Sequence, residues 1–208
     1  MRRSLVWMLL IPCILLGGAR VAYAQTPPGL QTVTGSGGAY QLQIPSDWAP
    51  LARSLHAEEQ SLSIDIDQAF ASPDGAQRLI VEIASGPGAA RLAAPTNLLA
   101  IMAAYEASYQ ESESGAGSSN FDVFDGPARA EIANADIGMR ASAVYADPDG
   151  NPRVLSLTVA GQGRSAFFFF VDVTESFYES DPDLGAILDS IALAPSTSGI
   201  PTTGTPPP

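Results

Sequence analysis

The strongest pattern in the chain is the run Ser165-Ala166-Phe167-Phe168-Phe169-Phe170-Val171-Asp172-Val173. Side chains alternate between the faces of a strand, so four consecutive phenylalanines place two rings on each side. A strand that is apolar on both faces needs cover on both, which predicts a central position in a sheet between two layers. The Gly161-Gln162-Gly163 turn before it, and the β-rich run before that, favour a strand over a buried helix.

Elsewhere the pattern predicts further antiparallel strands. Tyr40-Gln41-Leu42-Gln43-Ile44 alternates with period two and stops at Pro45-Ser46-Asp47-Trp48, a strand entering a turn. Residues 63–71 and 77–84 read as a hairpin closed by Ser72-Pro73-Asp74-Gly75, whose proline and glycine suit a type I turn. A loop of that length places Ile64, Ile66 and Phe70 on one face with Ile83, Val81 and Gln77. Residues 121–133 predict a strand broken at Gly126-Pro127. Residues 139–146 and 153–160 form a meander with the phenylalanine strand.

Two helices are predicted. Thr96 or Asn97 caps the first, with Leu98, Ile101, Met102, Tyr105 and Tyr109 at helical spacing and an end near Glu113. Asp181-Pro182 opens the second, whose buried stripe is Leu184, Ile187, Leu188 and Ile191. The fold class is therefore α+β: an antiparallel sheet of about six strands with helices on both faces, an α/β/α sandwich.

The ends change the picture. Arg2 and Arg3, an apolar run over residues 5–16 and Ala22-Tyr23-Ala24 together predict a secretory signal peptide (residues 1–24), cleaved between Ala24 and Gln25. Cys13 falls in the discarded part, and Pro12 before it is not the small residue that a lipid anchor needs. Residues 25–37 read as a flexible segment, in which 30–34 has the makings of a short strand. Residues 38–194 form one domain, and 195–208 a disordered Pro/Thr-rich tail. The expectation is a secreted or periplasmic monomer, with no transmembrane segment in the mature chain.

Without the signal the chain keeps no cysteine, so burial alone stabilises it. It also has no lysine, and seven arginines stand against 22 acidic residues, a net charge of −15. Such a surface repels nucleic acid and anionic lipid and suits cations or basic partners, besides keeping the protein soluble.

Candidate chemistry is thin. His56 is the one histidine, and it lies in a stretch that reads as exposed, so a solvent-facing role is expected in place of a catalytic one. One histidine and no mature cysteine make a poor zinc site. Asp65 and Asp67 share a strand face, and in the register above Asp65 faces Glu82 while Asp67 lies diagonal to Arg78. Facing carboxylates must be solvated, share a proton or hold a cation. Asp65, Asp67 and Glu82 are thus the candidates for a calcium site or for glycosidase-type carboxylates, beside the plainer reading of a wet polar edge. Asp147-Pro148-Asp149-Gly150-Asn151 has its glycine in the wrong place for a calcium loop and reads as a hairpin turn. Trp48, the one mature tryptophan, reads as a core plug at a strand corner, and as the first candidate for a binding contact if it is exposed.

A family resemblance joins several of these pieces. Ile44-Pro45-Ser46-Asp47-Trp48 at a strand end, the Phe70-Ala71-Ser72-Pro73-Asp74-Gly75 hairpin, the long helix, the meander and a last helix ending in Ser190-Ile191-Ala192-Leu193 resemble the secreted bacterial relatives of PsbP. PsbP is the extrinsic protein of photosystem II. The wider group, with the Ran-binding Mog proteins and the mycobacterial lipoprotein LpqN, shares an α/β/α sandwich. The resemblance spans residues 38–194 and implies a non-enzymatic binding or assembly role on an envelope or extracellular protein. In the photosystem member it implies calcium and chloride retention. The absence of lysine here departs from that member. The reading is an exported binding module without a cofactor, with a calcium-dependent module and a carboxylate hydrolase as alternatives.

Overall fold

The phenylalanine segment is the middle strand of the main sheet. The computed structural model describes residues 29–51, 63–113, 122–147, 149–180 and 183–196. The signal peptide with Ala24 and Gln25, the His56 stretch, Asp181-Pro182 and most of the tail lie outside them. The strands are β1 (Leu30–Thr34), β2 (Tyr40–Pro45), β3 (Ala49–Pro50), β4 (Ser63–Ala71), β5 (Arg78–Ser85), β6 (Asp122–Arg129), β7 (Ile137–Ala146), β8 (Pro152–Gln162), β9 (Ser165–Thr174) and β10 (Ala192–Leu193). The α-helices are α1 (Pro95–Glu113), α2 (Glu175–Ser180) and α3 (Asp183–Asp189). Seven strands form the main antiparallel sheet in the order β3-β4-β5-β9-β8-β7-β6, and β1-β2-β10 form a smaller one.

Both faces of β9 are covered, as its composition demands. Phe168 and Phe170 face a layer made by the short 3-10 turn Ala89–Ala93 and by Leu98, Met102 and Tyr105 of α1. Tyr105 stacks on Phe170 with ring centroids 4.6 Å apart. Phe167 and Phe169 face the small sheet and α3, where Tyr40, Leu42, Ile44, Ile187 and Leu188 complete the other core. Burying each ring contributes about 1.5–3 kcal/mol, so this strand anchors both layers. Among the described residues no helix is long and apolar enough to cross a membrane.

The architecture corrects the expected single sheet at several points. The Tyr40 strand leaves the main sheet and pairs with β1 and β10. Its clean alternation is the reason: one face is buried and one is wet, which suits a covering layer and not a central strand. The short strand expected at 30–34 does form, as β1, and is held to β2 from Leu30–Pro45 to Thr34–Gln41. Helix α1 starts at Pro95, one residue before the expected caps, because proline needs no N–H in the first turn. Asn97 instead turns its amide back to donate to the Arg91 carbonyl at 3.0 Å. The broken strand ends at Arg129, well before residue 133, and α2 was not foreseen.

The β4–β5 register also differs. The turn at Ser72–Gly75 forms, with Gly75 N–H donating to Ser72 O, but pairing resumes only at Ala71–Arg78. Gln77 is diverted: its side chain accepts the Thr174 N–H at 2.9 Å. Further along, β4 bulges at Asp67, between the pairs Ile66–Glu82 and Gln68–Val81. A bulge exchanges the faces of everything beyond it. Phe70 therefore packs toward the small sheet while Ile66 packs toward α1, on opposite faces and not on one.

Candidate binding surface

The most buried charge lies at one end of the sheet, on the α1 side. Asp172, fully buried, accepts from Arg153 Nε at 2.8 Å and from the Tyr145 hydroxyl at 2.8 Å. Arg153 Nη2 also donates to the Ala76 carbonyl at 2.9 Å, tying the β4–β5 turn to β8. Burial pushes the Asp172 carboxyl above the ordinary carboxylate range, and the Arg153 guanidinium and Tyr145 hydroxyl pull it back. Burial opposes the charge on Arg153 too, but the Asp172 carboxylate holds that guanidinium firmly protonated. Tyr145 is raised by burial first and then by the Asp172 charge. Every polar atom that Asp172 and Arg153 bring inside meets a partner, which is what buried charge requires. The visible signal was an acid in a strand otherwise apolar on both faces.

The three carboxylates expected to converge do not. Asp65 is exposed and pairs with Ile83, whereas Glu82 pairs with Ile66 and Phe168 and so points to the opposite face. Arg78 pairs with Ala71 and Asp172, away from Asp67. Asp67, the bulge residue, accepts the Tyr40 hydroxyl at 2.6 Å and the Ser36 N–H at 3.1 Å. Partial burial would raise its pKa, but these two donors outweigh it and hold the carboxyl below its ordinary value. Tyr40 is raised by burial and by Asp67. Among the described residues no three His, Cys, Asp or Glu side chains lie close enough to hold a metal ion.

Trp48 is only 4% exposed and packs in the core beneath the small sheet. Its carbonyl accepts from Gln31 Nε2 at 3.0 Å. It is the core plug and offers a partner nothing to touch. Asp147, Asp149, Gly150 and Asn151 lie in the β7–β8 hairpin turn, with the Asp147 carboxylate accepting from the Asp149 and Asn151 N–H groups.

The exposed aromatic is one that the pattern did not single out. β6 is the outermost strand of the main sheet, and its register slips between Val123–Ala143 and Asp125–Ser142. Phe124 is the extra residue. The bulge turns its ring onto Tyr178 of α2, edge to face, with centroids 5.4 Å apart. Phe124 is still 48% exposed, and among the described residues it is the one aromatic among the exposed large hydrophobic side chains. A second slip follows at Gly126-Pro127, where Gly126 sits at φ 88°. Asp122, Asp125 and Glu179 flank the pair as exposed acids, and Glu175 is half-buried. Two bulges and a proline also blunt this edge against pairing with another strand, which leaves side chains to make any contact. The Gly-Pro break was the hint that alternation fails here. A separate hollow of about 460 Å³ lies over residues 129–138, where the Asp136 carboxylate is already taken by the Gly163 N–H at 2.7 Å.

This arrangement, a seven-stranded antiparallel sheet covered on one face by α1 and on the other by a smaller sheet and α3, is an α+β fold of the PsbP and LpqN type. No protein-family model matches the sequence, and no curated protein matches it significantly. Among solved structures the chain is similar to CyanoP, the cyanobacterial PsbP from Synechocystis sp. PCC 6803, with a TM-score of 0.50 and 13% identity over 82% of this chain and 96% of that one. It is also similar to LpqN of Mycobacterium tuberculosis, described as involved in cell envelope biogenesis, with a TM-score of 0.50 and 14% identity over 80% and 91% of the two chains. At such identities the likeness is one of fold, and in fold the expected resemblance holds.

Proposed function

We propose that this chain is an exported, non-catalytic binding or assembly module acting on a protein partner in the envelope or outside the cell, and that it meets this partner through the Phe124–Tyr178 surface. The observation that carries the reading is the half-exposed Phe124 ring, turned outward by a bulge and supported by Tyr178. Large aromatics held rigid at the surface are the usual anchors of protein contacts. The envelope setting draws support from the N-terminal signal pattern and from the description of LpqN. A carboxylate hydrolase and a calcium module are both disfavoured because Asp65 and Glu82 face apart and Asp67 is engaged by Tyr40 and Ser36.

The test is site-specific photo-crosslinking in the producing cell, with the crosslinker at position 124 and, as a control, at Leu99 on α1. A discrete adduct from 124 and none from 99 is expected. No adduct from 124 sinks the proposal. N-terminal sequencing of the exported protein should begin at Gln25.

A further inference from the structure

Resting on that reading, we infer that the Phe124–Tyr178 surface takes an arginine-bearing segment of a basic protein partner. The ring comes first. About half of Phe124 is open to solvent while its ring meets Tyr178 edge to face, which leaves exposed aromatic surface for a planar cation.

The charge around the ring selects the occupant. Asp122 lies two residues before Phe124 on the same strand, and Glu175 three residues before Tyr178 on the same helical face. Asp125 and Glu179 flank them, and Arg129, at the far end of β6, is the one basic residue of these two elements. None of the four acids forms an ion pair with a described residue, whereas Arg140 and Arg153 are paired elsewhere, with Asp189 and Asp172. The net charge of −12 over the whole chain adds to this negative field. An uncharged apolar partner would bury these carboxylates without compensation, which is costly. A cationic one leaves them paired.

Arginine fits better than lysine for a geometric reason. The guanidinium is flat, stacks on an aromatic face and still presents N–H donors at its rim to neighbouring carboxylates. An ammonium is a hydrated point charge and gains from the acids alone.

The experiment titrates the mature chain into labelled octa-arginine and octa-lysine, read by fluorescence anisotropy at low and at physiological salt. Octa-arginine should bind about three- to five-fold more tightly than octa-lysine, the size expected of one exposed cation–π contact. Phe124→Leu, and Phe124→Ser as a second variant, should erase that preference. Asp122→Asn with Glu175→Gln should weaken both peptides and flatten the salt dependence. Equal binding of the two peptides overturns the inference, as does an arginine preference that survives both Phe124 variants. Either result alongside a discrete crosslink at position 124 would overturn the arginine assignment alone and leave the binding reading standing.

Discussion

Tyr40, in the small sheet, donates a 2.6 Å hydrogen bond to Asp67, the residue that β4 bulges out of the main sheet. The bond is one of several polar stitches between the two layers, beside Gln68 Nε2 donating to the Thr34 carbonyl at 3.0 Å and Arg140 Nη2 donating to the Leu188 carbonyl at 2.6 Å. Tyr40 is fully buried, so its hydroxyl needs this acceptor, and the bulge is what turns the Asp67 carboxylate toward it.

The stitch sets an acid-side pH dependence. Asp67 has a depressed pKa in the folded chain, so its contribution is present above the unfolded carboxylate value and is lost as pH falls through the folded one. Thermal melts between pH 7 and pH 3 should show a shallower acid decline for Asp67→Asn than for the parent. Equal slopes would remove Asp67 from the acid response. Tyr40→Phe should cost about 1.5–3 kcal/mol, the range for a bond to a charged group, in denaturant titrations.

The Arg153–Asp172 pair predicts an asymmetry. Arg153→Met leaves the buried carboxylate with the Tyr145 hydrogen bond and the more distant Arg78 charge and should cost about 3–5 kcal/mol. Replacing the pair together, as Arg153→Met with Asp172→Leu, should recover most of that loss. Chemical denaturation of the two variants decides it, and a double variant no better than the single one would contradict this account.

Two aromatic truncations should separate core from surface. Phe169→Ala and Trp48→Ala each open a cavity in the same core and should cost about 3–5 kcal/mol. A Trp48→Ala protein with an unchanged melting temperature would refute the core role of Trp48.

Phe124→Ser should behave in the opposite way. With half the ring already in water, stability should move by about 0.5 kcal/mol or less, while partner capture falls. Loss of fold on this substitution would make Phe124 a structural residue.

Much of the architecture was legible because it follows from composition over short windows. Four phenylalanines in a row demand a covered, central strand, and β9 is fourth of seven. The stripe Leu184, Ile187 and Leu188 is buried in α3, and the meander turns fall where glycine and proline put them. The division into two sheets was partly legible, since the one-sided burial of β2 is written in its alternation.

The candidate site was not legible, and bulges are the physical reason. A single extra residue costs a strand little locally, yet it exchanges the faces of every side chain beyond it. At Asp67 this separated the expected carboxylates and joined Asp67 to Tyr40. At Phe124 it put an aromatic ring outside on Tyr178. The sequence by itself determined which strand is central, which faces are apolar, the turn positions and the acidic surface, because burial and backbone geometry act residue by residue. Only the tertiary structure decided which residues face each other across strands and layers, because register is settled by the packing of whole sheets and not by any one segment.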